Sequence, residues 1–257
     1  MPDDAWAETA QRFADHYETL VGQVRAHVID AQLRRHLPPA PAAIVDIGGG
    51  AGHQSIPLAR DGYLVTLVDP SPEMLQRARQ GLADEDPATG SRVELVESDG
   101  EHAPEILGRR RFEAVLCHGV LLYVEDPAPL ISAITDLAAT DGFVSIMAKN
   151  QRSLALRPAL NRDWHGALAA FDATHELNEL GLMTRADTPE AVAAELGHHG
   201  FTTADLYGVR LFTEAWGRDR APVDPESPVL AAELEASLRD PYRQLSRLFH
   251  LVARRPR

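Results

Sequence analysis

The stretch that most constrains this chain is Ile44-Val45-Asp46-Ile47-Gly48-Gly49-Gly50-Ala51-Gly52, an apolar run of strand character that breaks into glycines at every second position. Glycine at a strand-to-helix turn permits a left-handed backbone and lets a ligand lie against bare main chain. A helix expected over residues 53–60 aims its N-terminal amides at the same spot. This is the layout of a nucleotide-type cofactor site. A dinucleotide fingerprint puts its third glycine three positions after the second, and that position here is His53. The pattern is instead Gly48, Gly50 and Gly52 behind Asp46, a tighter turn with an acid in front.

The rest of the chain supplies a frame for that turn. Residues 43–47, 63–68, 92–96, 112–116 and 142–148 read as strands alternating with helical stretches such as 130–137 and 189–196, and residues 201–212 and 249–253 read as two more strands. This predicts an α/β fold, a doubly wound, seven-stranded, mostly parallel sheet of Rossmann-like type. Residues 5–36 carry Trp6, Phe13, Tyr17, Leu20, Val24, Val28 and Leu33 at helical spacing, which predicts two helices over the mouth of the site. Pro38-Pro39-Ala40-Pro41 ends them. The expected organisation is therefore an N-terminal helical cap, 1–40, and one domain, 41–257. Within that domain the periodicity weakens over 150–187, which is expected to form an insertion on the acceptor side.

Position along the frame nominates ligands. Asp69 ends the second strand, where a carboxylate accepts both hydroxyls of a ribose. Ser71 with Pro72 behind it makes the better helix cap, leaving Asp69 for the ligand. Asp99, Gly100 and Glu101 follow the third strand, where an acid meets an adenine amino group; the alternative is a solvated acidic loop. His118 follows the fourth strand, at the carboxyl edge where ligands bind in open α/β sheets.

Composition narrows the chemistry. The net charge of -13 opposes a broad footprint on nucleic acid, and Lys149 is the single lysine, so arginine carries nearly all the positive charge. The eleven histidines are scattered without ligand spacing, so no metal is expected. Cys117 is the only cysteine, which excludes an intrachain disulfide. No apolar run reaches the ~18 residues of a membrane span, and Met1-Pro2-Asp3-Asp4 is unlike a signal peptide, so a cytoplasmic location is expected. The sequence carries no signature of oligomeric state.

The glycine spacing behind Asp46, with Asp69 beyond it, resembles motif I of the class I S-adenosylmethionine methyltransferases, a fold that serves very many acceptors. The flanks narrow the likeness. Gly22-Gln23-Val24-Arg25, Leu116-Cys117-His118-Gly119-Val120-Leu121 with Val124-Glu125-Asp126-Pro127, Gly208-Val209-Arg210-Leu211-Phe212, and the closing run from Phe249 to Pro256 resemble the bacterial tRNA 5-carboxymethoxyuridine methyltransferases. The likeness runs from about residue 6 to residue 256. It implies S-adenosyl-L-methionine as cofactor, with contacts at Arg25, Gly48, Gly49, Asp69, the Gly100-Glu101 position and His118; motif I brings in Asp46, Gly50 and Gly52. Arg25 suits the donor's methionine carboxylate, since a guanidinium grips a carboxylate by two parallel bonds. Arg210 and Arg152 are the expected acceptor-side residues. The relatives' lysine run in the insertion is replaced here by Ala173-Thr174-His175-Glu176-Leu177-Asn178-Glu179-Leu180, and an acidic position near the Asp-Pro turn is Leu122.

Methyl transfer from a sulfonium is an in-line substitution, in which alignment of the acceptor atom is the main task. A carboxylate acceptor is already ionised and needs no base; a hydroxyl needs one within hydrogen-bond reach. His118, Tyr123 and His165 are the candidate bases. Cys117, ending a core strand, reads as packing. The expected activity is S-adenosylmethionine-dependent methylation of a carboxylate such as that of a modified tRNA wobble uridine. The alternatives are a small-metabolite O- or N-methyltransferase and a non-catalytic S-adenosylmethionine-binding protein.

Overall fold

The computed structural model describes residues 19–178, 181–216 and 220–256. Helix α1, Leu20–Leu33, is capped by the Thr19 side chain, which accepts from the Gly22 amide, and buries Leu20, Val24, Val28 and Leu33 at helical spacing. It is the second of the two expected N-terminal helices. Trp6, Phe13 and Tyr17, with the first, lie outside the described residues.

Five parallel strands follow: β1 (Ala43–Ile47), β2 (Leu64–Asp69), β3 (Val93–Glu97), β4 (Phe112–His118) and β5 (Ala138–Lys149). β4 runs two residues past the expected end because Cys117 and His118 still pair with Ile146 and Met147. After the small hairpin β6 (His175–Leu177) and β7 (Met183–Arg185) come β8 (Thr202–Val209) and β9 (Leu248–Arg254). β9 lies antiparallel between β5 and β8. The order is β3-β2-β1-β4-β5-β9-β8, a seven-stranded, mostly parallel, Rossmann-like sheet.

Alternating side chains feed two layers of helices. On one face α1 packs over Met147, Val209 and Leu248, while α2 (Ser55–Arg60) buries Leu58 against Ile44 and Val65. Leu75 and Ala78 of α3 (Pro72–Ala83) cover Leu67. On the other face α4 (Ala103–Leu107), α5 (Ala128–Leu137) and α6 (Pro189–His198) bury Leu107, Ile131, Ile134 and Leu196 against Val115, Val144 and Leu251. Helix α7 (Pro228–Leu238) places Leu230 beside α1. Among the described residues no helix is long and apolar enough to cross a membrane.

Two segments differ from the sequence pattern for physical reasons. Expected strand 201–212 stops at Val209 because Arg210 turns to φ 63°, and its carbonyl accepts the Arg247 amide at 2.7 Å instead of continuing a ladder. The weakly periodic stretch 150–187 holds the short helices Leu156–Leu160 and Trp164–Ala170 and the β6–β7 hairpin, each too short to display a period. Its ends meet in a parallel bridge between Asn150 and Asp187.

Candidate active site

β1 and β4 are neighbours in the sheet, yet the chain leaves β1 for β2 on one side and β4 for β5 on the other, so their carboxyl ends border the crevice of a reversing strand order. A cavity of about 480 Å³ opens there. Its first half is the glycine turn. Gly48 sits at φ 69° with its amide on the Val68 carbonyl at 2.8 Å; a Cβ on it would lie 2.4 Å from Val120 Cγ2, so only glycine fits. Gly50, at φ 57°, faces open space, with nothing within 4 Å of where a Cβ would be. Gly49 also lines the cavity. Gly52 lies behind it, closing the turn with its amide on the Gly49 carbonyl at 3.0 Å.

The acids divide into wall and support. Asp69 lines the cavity, its Oδ2 accepting from the Gly50 amide and its Oδ1 from the Ser71 amide, each at 2.9 Å. Burial raises its pKa, and these two amides oppose the rise. Ser71 does cap α3, as its hydroxyl accepts from the Met74 amide. Asp46 is 3% exposed beneath the turn, accepts from Ser55 Oγ at 2.7 Å, and is pushed up to about 6 by burial; it is no part of the wall. Asp99, Gly100 and Glu101, after β3, line the cavity beside Asp69. Asp99 accepts from the His102 amide at 2.9 Å and faces its ring at 2.8 Å, which outweigh partial burial and hold its carboxyl below the usual range.

His118 reaches the wall from the end of β4, and the Arg25 guanidinium of α1 donates to its carbonyl at 3.1 Å. Tyr123 and Leu122 also line the cavity. His165 does not: it is exposed on the helix Trp164–Ala170. Nor does Arg152, whose guanidinium is held outside by Gln244 and Glu190, each at 2.7 Å.

The second half of the cavity is cationic, and most of it has no local signature in the sequence. Lys149, Arg157, Arg210 and Arg247 line it, with Glu214 the acid among them. Arg210 is no surface ion pair; its side chain and that of Glu214 are 11% and 3% exposed, and Glu214 also lies 3.3 Å from Arg247 Nε. Lys149 ends β5, bonded to Glu176 Oε1 at 2.6 Å and to Thr184, and Glu176 pairs with Arg247 as well. Burial, helped by Arg247, lowers the Lys149 ammonium to about 7; burial, helped by Arg157, lowers Arg247 to about 10; and burial also lowers Arg210. Lys149 is flagged in sequence only by being the single lysine; Arg247 arrives through the pairing of β9 with β5. Glu179 lies outside the described residues. Among those described, no group of three or more His, Cys, Asp or Glu is placed to hold a metal.

A glycine turn at the switch point of a β3-β2-β1-β4-β5-β9-β8 sheet, bonded to an acid on β2, defines a Rossmann-like methyltransferase, and residues 45–144 match a family model described as a methyltransferase domain. The chain is an S-adenosylmethionine-dependent methyltransferase. It is 25% identical to the tRNA 5-carboxymethoxyuridine methyltransferase of Escherichia coli K12, over 100% of this chain and 98% of that one. It is 29% identical to a ubiquinone biosynthesis O-methyltransferase of Xanthomonas axonopodis pv. citri, over 80% of this chain and 79% of the relative. Its fold matches a putative S-adenosylmethionine dependent methyltransferase from Listeria monocytogenes with a TM-score of 0.62 at 18% identity, covering 91% of this chain and 100% of that one. Magnesium protoporphyrin IX methyltransferase from Synechocystis PCC 6803 matches with a TM-score of 0.60 at 18% identity, over 92% and 85% of the two chains.

Proposed function

We propose that this protein transfers the methyl group of S-adenosylmethionine to a carboxylate, with the donor along the glycine turn and the acceptor's anion in the cationic half of the cavity. The carrying observation is the cluster itself: Lys149, Arg157, Arg210 and Arg247 converge on one end, where Glu176 and Glu214 pair with Lys149, Arg210 and Arg247 yet leave Arg210 Nε and Arg247 Nη1 buried without a hydrogen-bond partner among the described residues. Buried donors left unpaired are costly, and an acceptor anion lying among them would satisfy them. At the other end, Asp69 keeps a free lone pair on each oxygen for ribose hydroxyls, and bare backbone at Gly50 admits the nucleoside. The Asp99-Gly100-Glu101 rim takes the adenine, and Arg25 takes the methionine carboxylate. Asp46 and Gly52 hold the turn in shape from behind.

When bound, S-adenosylmethionine supplies an electrophilic methyl carbon on a sulfonium. The protein's part is orientation: the cations hold the carboxylate in line and the apolar wall from Leu122, Val124 and Leu130 excludes water. A carboxylate needs no proton removed, which agrees with the lack of an assigned base.

The acceptor we favour is a carboxylate on a modified tRNA uridine, in keeping with the name of the relative that aligns over the whole chain. A second reading, methylation of a small metabolite at oxygen or nitrogen, draws on the ubiquinone-pathway relative and on Lys149, which burial brings to about 7, near the pH where it would accept a proton. Mass spectrometry of tRNA nucleosides from a strain lacking the protein separates them. Loss of one methyl ester supports the tRNA carboxylate. Unchanged nucleosides, with loss of a methylated metabolite instead, overturn it.

A further inference from the structure

Behind the cofactor half of the cavity a file of buried polar side chains crosses the sheet on the face covered by α1. His118 of β4 has its Nδ1 2.7 Å from the Gln54 side-chain amide and its Nε2 2.8 Å from Ser145 Oγ of β5. Ser145 Oγ is 2.7 Å from His250 Nε2 of β9, and His250 Nδ1 is 2.8 Å from Gln32 Oε1 of α1. Gln32 Nε2 ends the file on the Gly208 carbonyl at 2.9 Å. Ser145, His250 and Gln32 are all 0% exposed, so water cannot repair a mismatched bond here.

We propose that this file is a single directed hydrogen-bond chain which holds His118 in its Nε2–H tautomer and thereby positions Arg25 at the cofactor end of the cavity. The direction follows from the far end. A carbonyl only accepts, so Gln32 must present Nε2 to Gly208 and Oε1 to His250. His250 therefore carries its proton on Nδ1, and its bare Nε2 accepts from the Ser145 hydroxyl. Ser145 Oγ then accepts from His118 Nε2–H, which leaves His118 Nδ1 without a proton. That nitrogen needs a donor, so the Gln54 amide presents Nε2 to it. The structure sets the Gln54 carbonyl oxygen there and leaves its Nε2 buried and unpaired; which end of the amide faces the ring is assigned by the hydrogen-bond network, and rotating it by half a turn brings that donor onto His118 Nδ1. Running the chain the other way requires a second proton on His250. Burial disfavours that, and so do the groups that face the rings, Arg25 toward His118, and His118 and His36 toward His250.

Two consequences follow for the reaction. Both nitrogens of His118 are committed, so it offers no lone pair to an acceptor proton and is a positioning residue instead of a base. Its backbone carbonyl, at the end of a strand pinned by this chain, is the acceptor for Arg25 Nη2. The link to donor binding rests on the proposed grip of Arg25 on the methionine carboxylate.

Long-range proton–nitrogen spectra of histidine-labelled full-length protein test the chain directly. The expected pattern is Nε2–H for His118 and Nδ1–H for His250, opposite tautomers, both unchanged from pH 5 to 9. An Nδ1–H or doubly protonated His118 at neutral pH overturns the proposal. Gln54→Glu replaces the donor by an acceptor and should bring a His118 titration into that window; its absence there would contradict the direction assigned. Ser145→Ala should blur the His118 tautomer and weaken S-adenosylhomocysteine binding about tenfold by calorimetry. A lost tautomer with unchanged affinity refutes the positioning of Arg25, whereas failure of the wild-type protein to bind the ligand at all would sink the cofactor reading itself.

Discussion

The Asp69 carboxylate accepts the Gly50 amide at 2.9 Å across a separation of 19 residues, so the acid at the end of β2 and the glycine turn after β1 form one unit. That bond fixes both the rotamer of the acid and the left-handed backbone at φ 57°. The proposed ribose site is thus built from two consecutive βα units, each of which needs the other's geometry.

Asp69→Ala removes this bond together with the proposed ribose contacts. Hydrogen bonds to a charged group contribute about 1.5–3 kcal/mol each, so affinity for S-adenosylhomocysteine should fall at least tenfold and roughly a hundredfold if two are lost. Titration calorimetry of the purified variant reads this. Wild-type affinity would remove Asp69 from the ribose site.

Gly48→Ala tests the turn through stability. The residue would need φ 69° and would press on Val120 Cγ2 at 2.4 Å. Left-handed strain costs about 1–2 kcal/mol and the clash adds to it, so unfolding should need at least about 1 kcal/mol less in urea. Val120→Ala in the same chain should recover part of the loss.

Arg210→Ala should leave S-adenosylhomocysteine affinity unchanged and raise the acceptor KM about tenfold or more, since truncating one member of a buried charge pair costs about 2–5 kcal/mol of binding. Arg152→Ala should change neither quantity, its guanidinium being held outside the cavity by Gln244 and Glu190. Steady-state kinetics of the two variants side by side distinguishes an arginine in the wall from one beyond it.

Lys149 gives the site a pH dependence. Its ammonium is lowered to about 7, so the cationic form that attracts an anion is present below that pH and is lost as pH rises through it. The acceptor KM should therefore climb above about pH 7 in the wild type, while Lys149→Arg, which stays charged, should flatten the climb. Bound anion stabilises the ammonium and moves the midpoint upward, so the shift should appear in kcat/KM before it appears in kcat.

What was legible in the sequence was local. The Gly48-Gly50-Gly52 turn, the place of Asp69 at the end of β2, the Ser71 cap and the place of His118 at the carboxyl edge each follow from spacing within a few residues, and the structure puts each of the seven expected strands within a few residues of its expected bounds. Of the cationic half only Arg210 was named, through the family resemblance, because Lys149 and Arg247 meet it only through the register of β5 with β9 and the turn after β8. Ser145 and His250 look like ordinary strand residues until that same register sets them beside His118. Between residues 150 and 187, three-residue strands and helices of five and seven residues are too short for periodicity to register.

The claim that the cationic end grips a carboxylate for methylation is tested most directly by the stability of the product. Purified protein is incubated with methyl-labelled S-adenosylmethionine and total tRNA from a strain lacking it, and the labelled product is treated with mild alkali. A methyl ester releases its label as volatile methanol, and this is the predicted result, reduced about tenfold or more in Arg210→Ala when tRNA is kept below its KM. Label that stays on the acceptor through alkali would mark an ether or amine and contradict the account.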